Sequence, residues 1–182
     1  VENLPIHKME IPTPYPVGDI NVYLWEEEPL TLIDSGPPTR EAKERLRSEL
    51  SKLGFRFKDI RRVVLTHGHP DHIGLAPLIK KESLASIYMH GDDASLFKNL
   101  KDRGTILDIC IQIGLDRSIA DLVAQYYIEV GIPTLSVEAD VQLRDGDLLT
   151  SSSGTNFEVI HCPGHSPGSI ALYNSRLKCL IS

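Results

Sequence analysis

Cysteine is scarce in this 182-residue chain: Cys110, Cys162 and Cys179 are widely spaced and odd in number. That set excludes a disulfide framework and a CxxC zinc motif, so a reducing, cytoplasmic setting is the default expectation. No apolar run is long enough to cross a bilayer. Residues 1–9, with Glu2, Asn3 and His7, lack the apolar stretch of a secretory signal, so no export signal is read there. Basic residues are outnumbered, with Lys+Arg 19 against Asp+Glu 25 and a formal charge of −6. That balance disfavours broad binding to a phosphate backbone. Internal repeats and low-complexity tracts are missing, and Ser151-Ser152-Ser153-Gly154 reads as a loop. What remains is the composition of a soluble globular protein, 41% hydrophobic and 24% charged, long enough for one domain over 1–182.

Hydrophobic patterning places strands at 21–25 and 30–33, the second ending at Asp34-Ser35-Gly36. A helix follows Pro37-Pro38, with Thr39 as its cap and Glu41 in its first turn. Ala42, Leu46, Leu50 and Leu53 recur at helical spacing, and Gly54 stands where the helix stops. A strand at 60–65 leads into Thr66-His67-Gly68-His69-Pro70-Asp71-His72. A helix marked by Leu75, Leu78 and Ile79 and a strand at 87–89 come next, giving an α/β order. Residues from about 92 to 133 read as a helical insert. Asp92 caps a helix with Leu96, Phe97 and Leu100, an apolar stretch covers 106–113, and a third helix carries Leu122, Val123, Tyr126, Tyr127 and Val130 before Gly131 and Pro133. Strands resume at 141–143, 157–160, 169–173 and 177–181, the last two joined around Asn174-Ser175-Arg176.

Two short loops carry the chemistry, each after an apolar strand. His67, His69, Asp71 and His72 fall within six residues, and His165 sits in Cys162-Pro163-Gly164-His165-Ser166-Pro167-Gly168. Imidazole nitrogen and carboxylate oxygen are the ligands a borderline metal such as zinc takes at about 2.0–2.2 Å. Gly68 lets the backbone turn, and Pro70 can start the following helix. Adjacent side chains at positions 71 and 72 are expected to diverge, which points to two metals side by side. A solvated polar loop is the plainer reading, but three histidines and an aspartate packed this tightly favour a metal site. His165 alone would be as readily a turn histidine. His90 lacks a companion ligand and is read as structural. His161 is read as a packing or supporting histidine, and Cys162 as a small buried residue rather than a thiolate ligand.

These motifs resemble the metallo-β-lactamase superfamily. The resemblance rests on His67-Gly68-His69-Pro70-Asp71-His72, on Leu32-Ile33-Asp34-Ser35-Gly36 upstream, and on His161-Cys162-Pro163-Gly164-His165-Ser166-Pro167-Gly168-Ser169 downstream. With Thr13-Pro14-Tyr15-Pro16-Val17-Gly18, it is most similar to the branch of hydroxyacylglutathione hydrolase and the lactamase-beta-2-like hydrolases. It implies an α/β fold, a four-layer αββα sandwich. It implies His67, His69 and His165 on a first metal, Asp71 and His72 on a second, and Asp34 supporting the ligand loops. The family supplies a bridging aspartate and a last histidine beyond a strand like the one at Ser182. The C-terminal part is therefore expected to be absent, and the first metal to be held better than the second.

The activity this implies is hydrolysis of an ester, thioester or similar bond in a small molecule by a metal-bound hydroxide, with Asp71 orienting the water and taking its proton. Zinc is the expected metal, two per complete domain, with iron or manganese as alternatives. Three rival readings stand beside it. One is an endoribonuclease or other phosphodiesterase on the same fold. Another is a di-iron redox centre, against which His69 counts. The third is a non-catalytic binding module. Ile106, Ile109, Tyr126 and Tyr127 of the insert are read as pocket lining, as a homodimer contact or, preferably, as a small helical core of their own.

Overall fold

The computed structural model describes residues 5–94, 102–112, 114–129 and 137–182. A six-stranded sheet runs in the order β1 (Ile6–Ile11), β2 (Ile20–Trp25), β3 (Thr31–Ile33), β4 (Arg62–Val64), β5 (Ser86–His90) and β6 (Val141–Leu143). The first three strands pair antiparallel, and β3 to β6 pair parallel. Helices α1 (Arg40–Lys52), α2 (Pro70–Ile73) and α3 (Ala76–Ser83) fill the β3–β4 and β4–β5 crossovers. A four-stranded antiparallel sheet has the order β10 (Cys179–Ile181), β9 (Ile170–Asn174), β8 (Asn156–His161), β7 (Leu148–Thr150).

Strand alternation sorts the side chains into two cores. Leu32, Val63, Ile87 and Met89 face Ala42, Leu46 and Leu50 of α1 and Ile79 of α3. Ile33 and Val64 point the other way and meet Phe157, Val159, Ile170 and Leu172 of the second sheet. The layers are thus helix, sheet, sheet. Leu148 and Leu180, on the outer face of the second sheet, remain 60% exposed, so among the described residues no further layer covers them.

Thr39 caps α1, its hydroxyl accepting from Ala42 N–H, and Gly54 follows the helix at φ +86. Strands β1 and β7 escaped the sequence reading, because Ile6–Ile11 mixes His7, Lys8 and Glu10 into its alternation and Leu148–Thr150 is three residues long. Arg62, between Arg61 and the apolar run of residues 63–65, is charged yet only 5% exposed. It donates to Thr31 Oγ1 at 2.9 Å and lies over the rings of Trp25 and Tyr88.

The insert supplies α4 (Arg103–Gln112) and α5 (Arg117–Glu129), which pack on each other through Ile106, Cys110, Ala120 and Ala124. A helical turn occupies 91–94, so Asp92 lies inside it rather than capping it. Leu96, Phe97, Leu100, Ile113, Val130, Gly131, Pro133 and the Tyr127 side chain lie outside the described residues. Among the described residues no helix is long and apolar enough to cross a membrane.

Candidate metal centre

Because β3, β4 and β5 run parallel, their C-terminal ends meet at one edge of the sheet. Asp34 follows β3, the loop of residues 66–72 follows β4, and residues 91–93 follow β5. The β8–β9 loop brings His165 to the same edge, where Ile170 N–H donates to Thr66 O at 2.8 Å and stitches the two sheets together. Open α/β sheets bind their ligands at this end.

His67, His69 and His165 come together there, each with a ligand atom within 4.8 Å of the others'. Their ring centroids are 4.5 to 4.9 Å apart and the planes cross at 70 to 87°. Crossed rings let in-plane lone pairs aim at a common point. His72 is 4.1 Å from His67, centroid to centroid. Asp71 and His72 do not diverge: Asp71 Oδ2 lies 3.6 Å from His72 Nε2 in the short α2, which Pro70 starts.

A hydrogen-bond chain fixes the histidine tautomers. Asp34 accepts from Thr66 N–H at 2.8 Å and from the Thr66 hydroxyl at 2.9 Å. With its one proton spent on the carboxylate, Thr66 Oγ1 accepts from His67 Nδ1–H at 3.1 Å. His67 Nε2 therefore bears a lone pair, and it is buried with no hydrogen-bond partner. Asp34 also takes His72 Nδ1–H at 2.8 Å, leaving His72 Nε2 free toward Asp71. Asp34 sits at φ +60, a left-handed conformation that aspartate tolerates better than most residues.

Burial and neighbouring charge together oppose protonation of His67 and His69 and favour it at His72. Burial, with His72 and two further histidines nearby, pushes His67 down to about 3 against the pull of Asp34. Burial and His165 lower His69 as well. Burial would lower His72 too, but the charge and hydrogen bond of Asp34, with Asp71 behind them, turn the net direction upward. A buried nitrogen that neither protonates nor finds a donor calls for an explanation, and a cation supplies one. The donor set fits zinc, whose catalytic sites take three protein ligands and leave a position open.

Two earlier expectations are corrected. His90 has companions, since its ligand atom lies within 4.8 Å of those of Asp92 and His161. The His90 and His161 rings stack at 4.0 Å with planes only 12° apart, so their lone pairs do not converge as those of the first cluster do. Cys162 is exposed, not buried, because it leaves the sheet at the start of the ligand loop. The sequence reading also passed over Asp93, which is fully buried between the two ligand loops. Its only signal was an acidic residue just past a strand end.

A cleft of about 280 Å³ opens over the cluster, lined by Tyr15, Val17, Pro70, Asp71, His165 and Tyr126 of α5. Burial, then Asp71 and Tyr126, push the Tyr15 phenol up to about 12, so it stays protonated.

The sequence profile of the Metallo-beta-lactamase superfamily matches residues 15–182. The chain belongs to that superfamily. It is 46% identical over 74 residues to the probable metallo-hydrolase YqjP of Bacillus subtilis, covering 41% of this chain and 23% of that protein. It is 27% identical over 157 residues to hydroxyacylglutathione hydrolase GloC of Haemophilus influenzae, covering 85% and 60%. A metallo-beta-lactamase family protein of Thermus thermophilus superposes at TM-score 0.77 with 24% identity, over 97% of this chain and 58% of that one. The matches thus span between 23% and 60% of the length of these relatives. The superfamily fold implies a divalent metal, and the mixed α/β architecture is that of its solved members.

Proposed function

We propose that the protein is a metal-dependent hydrolase that cleaves an ester, thioester or similar bond in a small molecule, with the metal on His67, His69 and His165. The observation that carries this reading is the lone pair of His67 Nε2, buried, unpartnered and facing two crossed imidazoles. Zinc suits three neutral imidazoles, and Asp71 and His72 make a weaker second position whose remaining ligands these residues do not supply. The bound cation would acidify a water molecule and polarise the scissile carbonyl.

The chain's own groups do the rest. Asp71, at the cleft, orients the attacking water and takes up its proton. Asp34, through Thr66 and His72, keeps two imidazoles in the tautomer that presents Nε2. Tyr15, protonated at neutral pH, is a donor for a substrate oxygen. Val17 and the Tyr126 ring offer an apolar wall to the acyl side of the substrate. The relative named for hydroxyacylglutathione hydrolysis favours acyl transfer to water over phosphodiester cleavage.

The test is turnover by the metal-stripped and zinc-loaded protein on thioester, lactone and ester panels and on single-stranded RNA. Zinc-dependent hydrolysis of the first three, lost in H69A, is expected. Turnover confined to RNA, or turnover indifferent to chelator, refutes the proposal.

A further inference from the structure

Asp93 is 0% exposed and stands three residues past the end of β5. Its Oδ2 accepts from Gly68 N–H at 2.7 Å and from the Ser166 hydroxyl at 2.6 Å. Its Oδ1 accepts from Gly168 N–H at 2.7 Å. Gly68 separates His67 from His69, while Ser166 and Gly168 follow His165 in the loop that presents it. One carboxylate thus holds both ligand loops, which hang from different sheets. The fit is close on the other side as well: a Cβ on Gly168 would sit 2.6 Å from Asp93 N and 2.8 Å from its Cγ.

We infer that Asp93 is a positioning residue that sets the separation of the two ligand loops, and so the convergence of His67, His69 and His165. This rests on the metal-centre reading above. The chemistry requires an acceptor at both oxygens. An asparagine can place its one oxygen toward Gly168 or toward Gly68 and Ser166, but its NH₂ then faces the Gly68 N–H in the first case and the Gly168 N–H in the second. Either way one backbone N–H of a ligand loop loses its acceptor while the buried volume stays the same. Groups that orient metal ligands from behind typically control metal affinity about 10–100-fold.

The test is competition between the protein and a chromophoric chelator for Zn²⁺ alone, with folding followed by circular dichroism. D93N is expected to bind Zn²⁺ about 10–100-fold more weakly than the unmodified protein. The comparison variant is D140N, which removes the charge facing Lys80 of α3 and leaves one acceptor oxygen for Lys80 and Ile87 N–H of β5, where the carboxylate has two. It should lower the unfolding midpoint and leave Zn²⁺ affinity within about twofold, well below the outer-ligand effect. S166A, which deletes one of the three bonds, should weaken Zn²⁺ less than D93N and add nothing to it, since it acts through the same carboxylate. Folded D93N with unchanged Zn²⁺ affinity overturns the inference, as does a D140N loss equal to that of D93N. If D93N does not fold, S166A with unchanged affinity overturns it. Failure of the unmodified protein to bind Zn²⁺ at all would instead sink the metal centre itself.

Discussion

Replacing His67 with glutamine should flatten the acid side of the stability profile of the metal-free protein. In the folded state burial, and then the charge of nearby His72, hold this imidazole down to about 3. In the unfolded chain it titrates near 6.5. The unfolded state therefore binds the proton first as pH falls. The stability that this group contributes is complete above about pH 6.5 and drains away down to about pH 3. Below pH 6.5 each further unit removes about 1.4 kcal/mol, so the step from pH 6.5 to 5.0 costs about 2 kcal/mol. That is a large share of a typical folding free energy of roughly 5–15 kcal/mol.

Neighbouring histidines do not blur the comparison. His69 is also lowered and drains in the same direction, but it is present in both proteins. His72 is raised, so its contribution is complete below about pH 6.5 and is lost as pH rises through its folded value. It leaves the acid side untouched. The measurement is urea unfolding of the unmodified protein and H67Q in excess chelator at pH 6.5 and 5.0. The unmodified protein should lose about 2 kcal/mol more than H67Q across that step. Equal losses, within about 0.5 kcal/mol and with unchanged m-values, would show that His67 protonates at an ordinary pH and that the buried bare nitrogen does not exist.

Three further outcomes follow from the same geometry. His165 is exposed, so H165A should leave the unfolding free energy from urea titration within about 0.5 kcal/mol of the parent. It should still weaken zinc at least about 100-fold in chelator competition, because a ligand and not merely its support is gone. D34N removes the charge that His72 Nδ1–H and Thr66 both use, so the His72 titration seen by NMR should move down and stability should fall by about 1–3 kcal/mol. In G74A the new methyl would sit 2.4 Å from Pro38 Cδ and N. Overpacking of about 1–3 kcal/mol is expected on denaturant titration, with α2 and its two site residues displaced.

How much of this was legible in the sequence depends on how far each signal reaches. The helix over 40–52 was readable because cap, apolar spacing and terminal glycine all lie within sixteen residues and agree. The histidine cluster was readable because four candidate groups share one loop. Strand β1 was not, because its stability comes from full pairing with β2, from Ile6 opposite Trp25 to Ile11 opposite Ile20, and local sequence does not announce a partner. Arg62 read only as part of the strand over 60–65, and the fold alone reveals the two rings that receive it. The divergence expected of Asp71 and His72 failed for a similar reason. Adjacent side chains on a helix point apart on average, but Asp34 Oδ2 pulls the His72 ring round through Nδ1 and turns Nε2 toward its neighbour.

The sharpest gap between sequence and site is Asp93. A metal-ligand motif can be recognised from spacing because its members must be close in the chain to share a loop. What holds two such loops at a fixed distance need not be close to either, and Asp93 lies 25 residues from Gly68 and 73 from Ser166. Parallel pairing of β3, β4 and β5 is what makes this economical: each strand delivers one acidic or histidine-bearing turn to the same edge. Two carboxylates then divide the work. Asp34, after β3, orders the imidazoles within one loop through Thr66 and His72. Asp93, after β5, ties that loop to the other sheet. Because they act on different coordinates, tautomer in one case and loop separation in the other, D34N should lower the His72 titration and D93N should leave it in place. A D93N protein in which His72 also titrates lower would mean that the two supports are one network, and the division argued here would be wrong.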